Sequence, residues 1–265
     1  MKIIKKYIQR KTLIYKTGVE YGDYTLNHVL GCSHGCLYPC YAFLQKKRFG
    51  IIDTYNDWCE PALVTNTLAL LDKELPKFKD KIKMLHLCFT TDPFMYQYKE
   101  VQDMSLAIIK KANEAEINCS VLTKGILPID LANLSKENEY GITLITTNES
   151  FRKKMEPGAA PWKKRLASLR ALHDVGCKTW ISIEPYPTPN IVKQDLQVLL
   201  KEVSFVDRII FGRMNYCTKV KAYGDYKHFF NDRAAEVVKY CEENNINYHI
   251  KKGTITLHYK SADEV

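Results

Sequence analysis

Long apolar runs are missing from this sequence of 265 residues: no stretch approaches the roughly 20 apolar residues that a membrane-spanning helix needs. Met1 to Lys16 is basic but has no serine and a single arginine, which argues against a transit peptide, and it lacks the continuous apolar core of a secretory signal. A cytoplasmic protein is the expectation. Linkers rich in Pro, Gly or Ser are absent too, as are internal repeats and low-complexity segments, so nothing divides the chain into separate folding units. An apolar fraction of 46% supplies a real core and excludes disorder.

Cysteine is the residue the sequence does have. Nine is an odd number, spread from Cys32 to Cys241 in a chain too large to need stapling, so a disulfide framework explains them poorly. Reduced thiols, some of them ligands, fit better. The formal charge of +9, from 39 basic and 30 acidic residues, is compatible with a nucleic-acid or anionic partner.

Strand-like and helix-like segments alternate through most of the chain, the pattern of a parallel sheet wrapped by helices. Six strands are predicted, near residues 24–30, 84–89, 118–123, 141–146, 179–184 and 206–211, and a seventh near 248–250. Helical patterns fill 61–75, 101–116, 129–137, 161–175, 191–203 and 232–244. Pro161 stands where a first-turn proline belongs, and Gly176 where a helix-ending glycine belongs. The organisation expected is a basic N-terminal segment (1–23), one barrel-like domain (24–250) and a C-terminal tail (251–265).

The segment from Gly31 to Cys40 follows the first predicted strand and holds Cys32, Cys36 and Cys40 in a Cys-x3-Cys-x3-Cys pattern. Structural zinc wants four ligands, and His34 sits awkwardly between two of the thiols. A cubane iron-sulfur cluster bound by three thiolates leaves one iron open for something else. Three incidental buried cysteines would explain the pattern without any metal. The remaining six cysteines are isolated and read as small buried residues, except that Cys217 lies just past the sixth strand, where a barrel keeps its active site.

The string from Leu26 to Tyr41, Leu-Asn-x-x-x-Gly-Cys-Ser-His-Gly-Cys-x-Tyr-x-Cys-Tyr, resembles the cluster loop of the radical S-adenosylmethionine superfamily, and within it the branch containing spore photoproduct lyase. Thr90-Thr-Asp-Pro-Phe94, Thr123-Lys-Gly125, and Glu156-Pro157 with Arg165-Leu166 agree with that branch in order and spacing. One departure is plain: three residues, Leu37, Tyr38 and Pro39, separate the second and third cysteines where the usual pattern has two.

The resemblance implies a partial (β/α)6 TIM-like barrel, a [4Fe-4S] cluster on Cys32, Cys36 and Cys40, and S-adenosyl-L-methionine across the carboxyl ends of the strands. By resemblance Thr90, Thr91 and Asp92 would receive the cofactor's ammonium and Lys124 its carboxylate. Thr146, Thr147 and Asn148 are candidates for its carboxylate or ribose. Glu184 is costly to bury alone, and is expected at the site's rim or paired with a cation such as Arg213. Tyr38 and Tyr41 flank the third cysteine as catalytic candidates, with Cys217. A shift of one residue is expected to turn Cys88 away from the site. The chemistry implied is reductive cleavage of S-adenosyl-L-methionine to a 5′-deoxyadenosyl radical that takes hydrogen from a substrate, with a nucleic-acid base as the leading class and a reducing partner of flavodoxin or ferredoxin type. The alternatives are a small metabolite or peptide as substrate, or a non-catalytic metal- or cluster-bearing module that binds nucleic acid.

Overall fold

The computed structural model of the protein describes residues 1–18 and 22–256. The chain opens with β1 (Lys6–Ile8), β2 (Ile14–Lys16), β3 (Tyr24–Leu26) and β4 (Val29–Leu30). α1 (Tyr41–Arg48), α2 (Tyr55–Trp58), β5 (Ala62–Val64) and α3 (Thr67–Phe78) lead to β6 (Leu85–Leu87) and α4 (Lys99–Glu114). Strands and helices then alternate: β7 (Cys119–Thr123), a 3-10 turn (Ile129–Asn133), β8 (Glu139–Thr143), α5 (Glu149–Met155), α6 (Trp162–Asp174), β9 (Lys178–Tyr186) and α7 (Leu196–Glu202). β10 (Arg208–Arg213), α8 (Thr218–Lys221), α9 (Tyr226–Glu243) and β11 (Asn247–Ile250) complete the described order.

The main sheet runs β11-β10-β9-β8-β7-β6-β3-β2. From β3 to β11 every neighbouring pair is parallel, and only β2 joins antiparallel, at the edge. The fold is therefore α/β with an open, parallel-dominated sheet, whose first six parallel strands and β11 are the seven predicted. A small sheet, β1-β5-β4, stands beside it. Residues 1–23, expected as a basic segment, thus contribute β1 to the small sheet and β2 to the large one. Of the expected tail 251–265, residues 257–265 lie outside the described residues.

Burial follows the periodicity. α4 turns Val101, Ser105, Ile108, Ile109 and Ala112 inward, and α6 turns Leu166, Leu169 and Leu172 inward. Together with sheet residues such as Val121, Ile142, Ile181 and Ile209 they form the principal core. A second cluster, Ile4, Val29, Leu63, Met95 and Val101, packs the small sheet against α4 and touches Cys32.

The differences from expectation have local causes. The strand predicted over 24–30 breaks after Leu26, because the Asn27 side chain turns to accept from the Thr90 backbone and hydroxyl at 3.1 and 3.0 Å. The chain then re-pairs as β4 in the small sheet. Within the helix predicted at 61–75, Ala62–Val64 is a strand, and the helix begins at Thr67. The predicted helix at 129–137 is a single 3-10 turn, and that at 191–203 begins only at Leu196, where Asp195 caps it. β8 lies earlier than the predicted 141–146, at Glu139–Thr143. Pro161 is the N-cap of α6, one position before its first turn.

Candidate active site

The cysteine loop begins where β4 ends and is gripped from both sides. Cys32 N–H donates to Trp58 O at 2.8 Å and the Tyr55 hydroxyl bonds Cys36 O, which ties the loop to α2. On the other side Leu37 N–H donates to Met155 O at 2.8 Å and Gly158 N–H to His34 O at 2.9 Å, so the turn between α5 and α6 clamps it. Gly158 has to be glycine there: a Cβ would stand 2.1 Å from Ser33 O. α1 starts immediately after Cys40, its N-cap residue.

A buried ion pair stiffens the clamp. Arg165 gives Nη2 to Glu156 Oε2 at 2.7 Å, Nε to Ala160 O at 2.7 Å and Nη1 to Thr143 O at 3.0 Å. The other Glu156 oxygen accepts from the Tyr38 hydroxyl at 2.7 Å. Burial alone would raise the Glu156 carboxyl, but the Arg165 and Lys124 charges outweigh it and hold it below its ordinary value. This is what Glu156 and Arg165, conspicuous in the sequence, do: they fix the three-residue spacer between Cys36 and Cys40, with Tyr38 turned inward and Leu37 outward.

Facing the loop are the carboxyl ends of β6 and β7. Asp92 accepts from three protein donors: Phe94 N–H and the Thr123 hydroxyl on Oδ1 at 2.9 and 2.6 Å, and Lys124 N–H on Oδ2 at 2.8 Å; His34 Nδ1 lies 3.5 Å from Oδ2. The other His34 nitrogen accepts from Tyr96 N–H at 3.4 Å, and burial keeps the ring neutral, so His34 is a brace between loop and sheet. Gly125 permits this approach, since a Cβ there would fall 1.7 Å from Phe94 O. Lys124 lies over the Tyr38 ring with Nζ 5.7 Å from its centre. Burial works against its charge, but Cys36 and Glu156 more than offset that and raise it above the ordinary value.

His34, Tyr38, Asp92 and Lys124 line one cavity of about 370 Å³, bounded by the cysteine loop and the carboxyl edge of the sheet. Cys32, Cys36 and Cys40, partly exposed residues with free thiols, all line it. So do Tyr38, Tyr41, Thr90, Thr91, Asp92, Lys124 and Glu184. Tyr41 packs on Phe89 with ring centres 5.4 Å apart. Among the described residues, no three His, Cys, Asp or Glu side chains are gathered for a single metal ion.

Thr146, Thr147, Asn148 and Cys217 do not line this cavity. β8 ends early, at Thr143, so that residue reaches the cavity while Thr146 and Asn148 turn to capping: Thr146 Oγ1 accepts from Asn148 N–H at 3.1 Å, and Asn148 caps α5 by accepting from Phe151 N–H at 3.0 Å. Cys217 occupies the N-cap of α8 and packs on the core. Glu184 pairs with Lys251, at 3.6 Å, and not with Arg213. Cys88 does face the cavity, against expectation. β6 has ended at Leu87, and the left-handed backbone of Cys88, φ 57°, breaks the alternation that would have turned it away.

Sequence reasoning missed His86, Ser182, Asn215, Tyr216 and Lys251 on the cavity wall. Asn215, Tyr216 and Lys251 follow the carboxyl ends of β10 and β11, and that position was the signal available, whereas His86 and Ser182 lie within β6 and β9.

The family model described as "Radical SAM superfamily" matches residues 26–203. An uncharacterised protein of Acidianus two-tailed virus is 31% identical over 212 residues, 74% of this chain and 69% of that protein. An uncharacterised protein of Methanocaldococcus jannaschii is 27% identical over 240 residues, 89% of this chain and 85% of that protein. A mutant spore photoproduct lyase with bound AdoMet and dinucleoside spore photoproduct shares the fold, with a TM-score of 0.66 at 14% identity over 92% of this chain and 80% of that one. With the family model spanning the cysteine loop and the sheet strands β6 to β9, about two thirds of the chain, the chain belongs to the radical SAM superfamily.

Proposed function

We propose that Cys32, Cys36 and Cys40 hold a [4Fe-4S] cluster with one iron left open, and that S-adenosyl-L-methionine fills the adjoining cavity. The observation that carries this reading is the convergence, at the carboxyl edge of a parallel sheet, of three free thiols and a cationic lysine on one cavity. When bound, the cluster and S-adenosyl-L-methionine supply reductive cleavage to methionine and a 5′-deoxyadenosyl radical that takes hydrogen from the substrate.

The donor set fits that group: thiolates are the protein ligands of such clusters, and three of them leave one iron free. Lys124 provides a compact countercharge for the cofactor carboxylate, and Thr90 and Thr91 line the wall beside it. Asp92 holds Thr123 and the Lys124 backbone in place, with His34 beside it. Tyr38, Tyr41 and Phe89 form part of the cavity wall, which Glu184 also lines.

The substrate class we favour is a nucleic-acid base, supported by the +9 charge and by likeness in fold to a lyase whose structure holds a dinucleoside spore photoproduct. A reducing protein of flavodoxin or ferredoxin type would supply the electron.

The test is anaerobic reconstitution with iron and sulfide, reduction in the presence of S-adenosyl-L-methionine, and quantification of 5′-deoxyadenosine, with Cys36→Ala alongside. Formation by the wild type and loss in the variant is the expected result. A fully loaded protein that forms none would leave a binding module without turnover.

A further inference from the structure

Across the cavity from the cysteine loop, the ends of β9, β10 and β11 bring a second set of charges together. Lys251 Nζ lies 3.6 Å from Glu184 Oε2, with side chains 19% and 25% exposed. Gly212 lies between them: a Cβ there would come within 2.9 Å of Glu184 Cδ and 3.0 Å of Lys251 Cγ, so its missing side chain makes room for both. The next residue, Arg213, gives Nε to Asn215 Oδ1 at 2.9 Å, which orients its guanidinium, and its backbone N–H reaches Thr254 Oγ1 at 3.4 Å. Tyr216 stands on the same wall with 74% of its surface exposed.

Among the described residues, two cations, Arg213 and Lys251, and one carboxylate, Glu184, line this end of the cavity, a recess where charge is screened less than in open water. The cysteine loop and its clamp use none of these groups. Both cations are held before any ligand arrives, Lys251 by Glu184 and Arg213 by Asn215, so little ordering remains to be done on binding.

We propose that Arg213 and Lys251 seat a phosphate of the substrate, with the Tyr216 ring at the mouth lying against the part that adjoins it. A guanidinium fork and an ammonium on one cavity wall suit the several oxygens of a phosphate, and an exposed aromatic ring suits a planar neighbour. The phosphate is either the monoester of a free nucleotide or a diester in a strand. This inference rests on the reading given above, which puts the cofactor at the cysteine end and leaves this end to the substrate.

The test titrates reconstituted protein, loaded with S-adenosyl-L-methionine, by calorimetry with deoxythymidine, its 5′-monophosphate and a short single-stranded deoxythymidine oligonucleotide. At least one phosphate-bearing probe binds about tenfold or more tighter than the nucleoside. Arg213→Gln and Lys251→Met each lose about that factor, while Arg213→Lys and Lys251→Arg keep part of it. A preference for the oligonucleotide alone assigns the site to a strand, and binding of the monophosphate assigns it to a free nucleotide. The proposal is overturned if neither phosphate-bearing probe outbinds the nucleoside, or if the preference survives in both charge-removing variants with unchanged iron content. 5′-Deoxyadenosine formation by the wild type, measured in parallel, reports separately on the radical chemistry.

Discussion

Glu156 and Arg165 meet at 2.7 Å with only 1% of either side chain exposed, and through Tyr38 this pair reaches the middle of the cysteine loop. Removing one partner strands the other charge in the interior. Arg165→Met is expected to destabilise the fold by about 3 to 5 kcal/mol, read as a lowered urea midpoint. Glu156→Gln keeps an acceptor for Tyr38 but leaves Arg165 uncompensated, and belongs in the same range. A change under about 1 kcal/mol in both would show that the pair is not the clamp described.

Gly158 lies against the backbone of Ser33 and His34, neither of which can give way as a side-chain tip would. Gly158→Ala is therefore expected to displace the cysteine loop while leaving the sheet intact. The measurement is iron and sulfide per chain after anaerobic reconstitution, together with far-ultraviolet circular dichroism. Several-fold lower iron with an unchanged helical signal is the expected pair of results, and full iron loading would contradict it.

Asp92 and the buried histidines pull stability in opposite directions with pH. Burial raises the Asp92 carboxyl from 3.8 to about 6, so the folded state holds that proton more tightly and stability declines as pH climbs through this window. Burial lowers His28 and His86 to about 4, so their contribution grows as pH rises toward their ordinary value of 6.5. Asp92→Asn removes only the declining part. Cluster-free Asp92→Asn is thus expected to gain stability more steeply than the wild type between about pH 4 and 6, by up to roughly 3 kcal/mol across the window. Parallel slopes in denaturation midpoints would refute the assignment.

Glu74, on α3, accepts the backbone N–H groups of Leu13 and Ile14 at 2.7 to 3.1 Å and so docks the edge strand β2. Glu74→Ala leaves both donors buried and unsatisfied, a cost of about 2 to 4 kcal/mol, whereas Glu74→Gln should cost less. Hydrogen exchange resolves the effect by place: protection is expected to drop in β2 and β3 first.

Much of this fold was legible because its parallel strands are short apolar runs and its long helices carry a regular inward face, as in α4 and α6. The cysteine loop was legible from spacing and resemblance. What stayed hidden depended on contacts distant in sequence. Nothing local announces that Asn27 will divert a strand by bonding Thr90, or that Lys251 rather than Arg213 will meet Glu184. Cys88 was misjudged because alternation was extended one residue past the end of β6, where a left-handed backbone resets it. Thr146 and Asn148 were attractive as ligands because hydroxyl and amide side chains at a strand end serve equally well as helix caps.

The bond from the Tyr38 hydroxyl to Glu156 spans 118 residues. During synthesis, then, the three thiols leave the ribosome well before the segment that clamps their loop exists, and for that interval they ride on an unbraced chain. A cluster held as proposed would therefore be assembled late in the life of the polypeptide, after completion of the α5–α6 turn rather than at the appearance of the cysteines. Premature iron would meet thiols without the geometry to retain it.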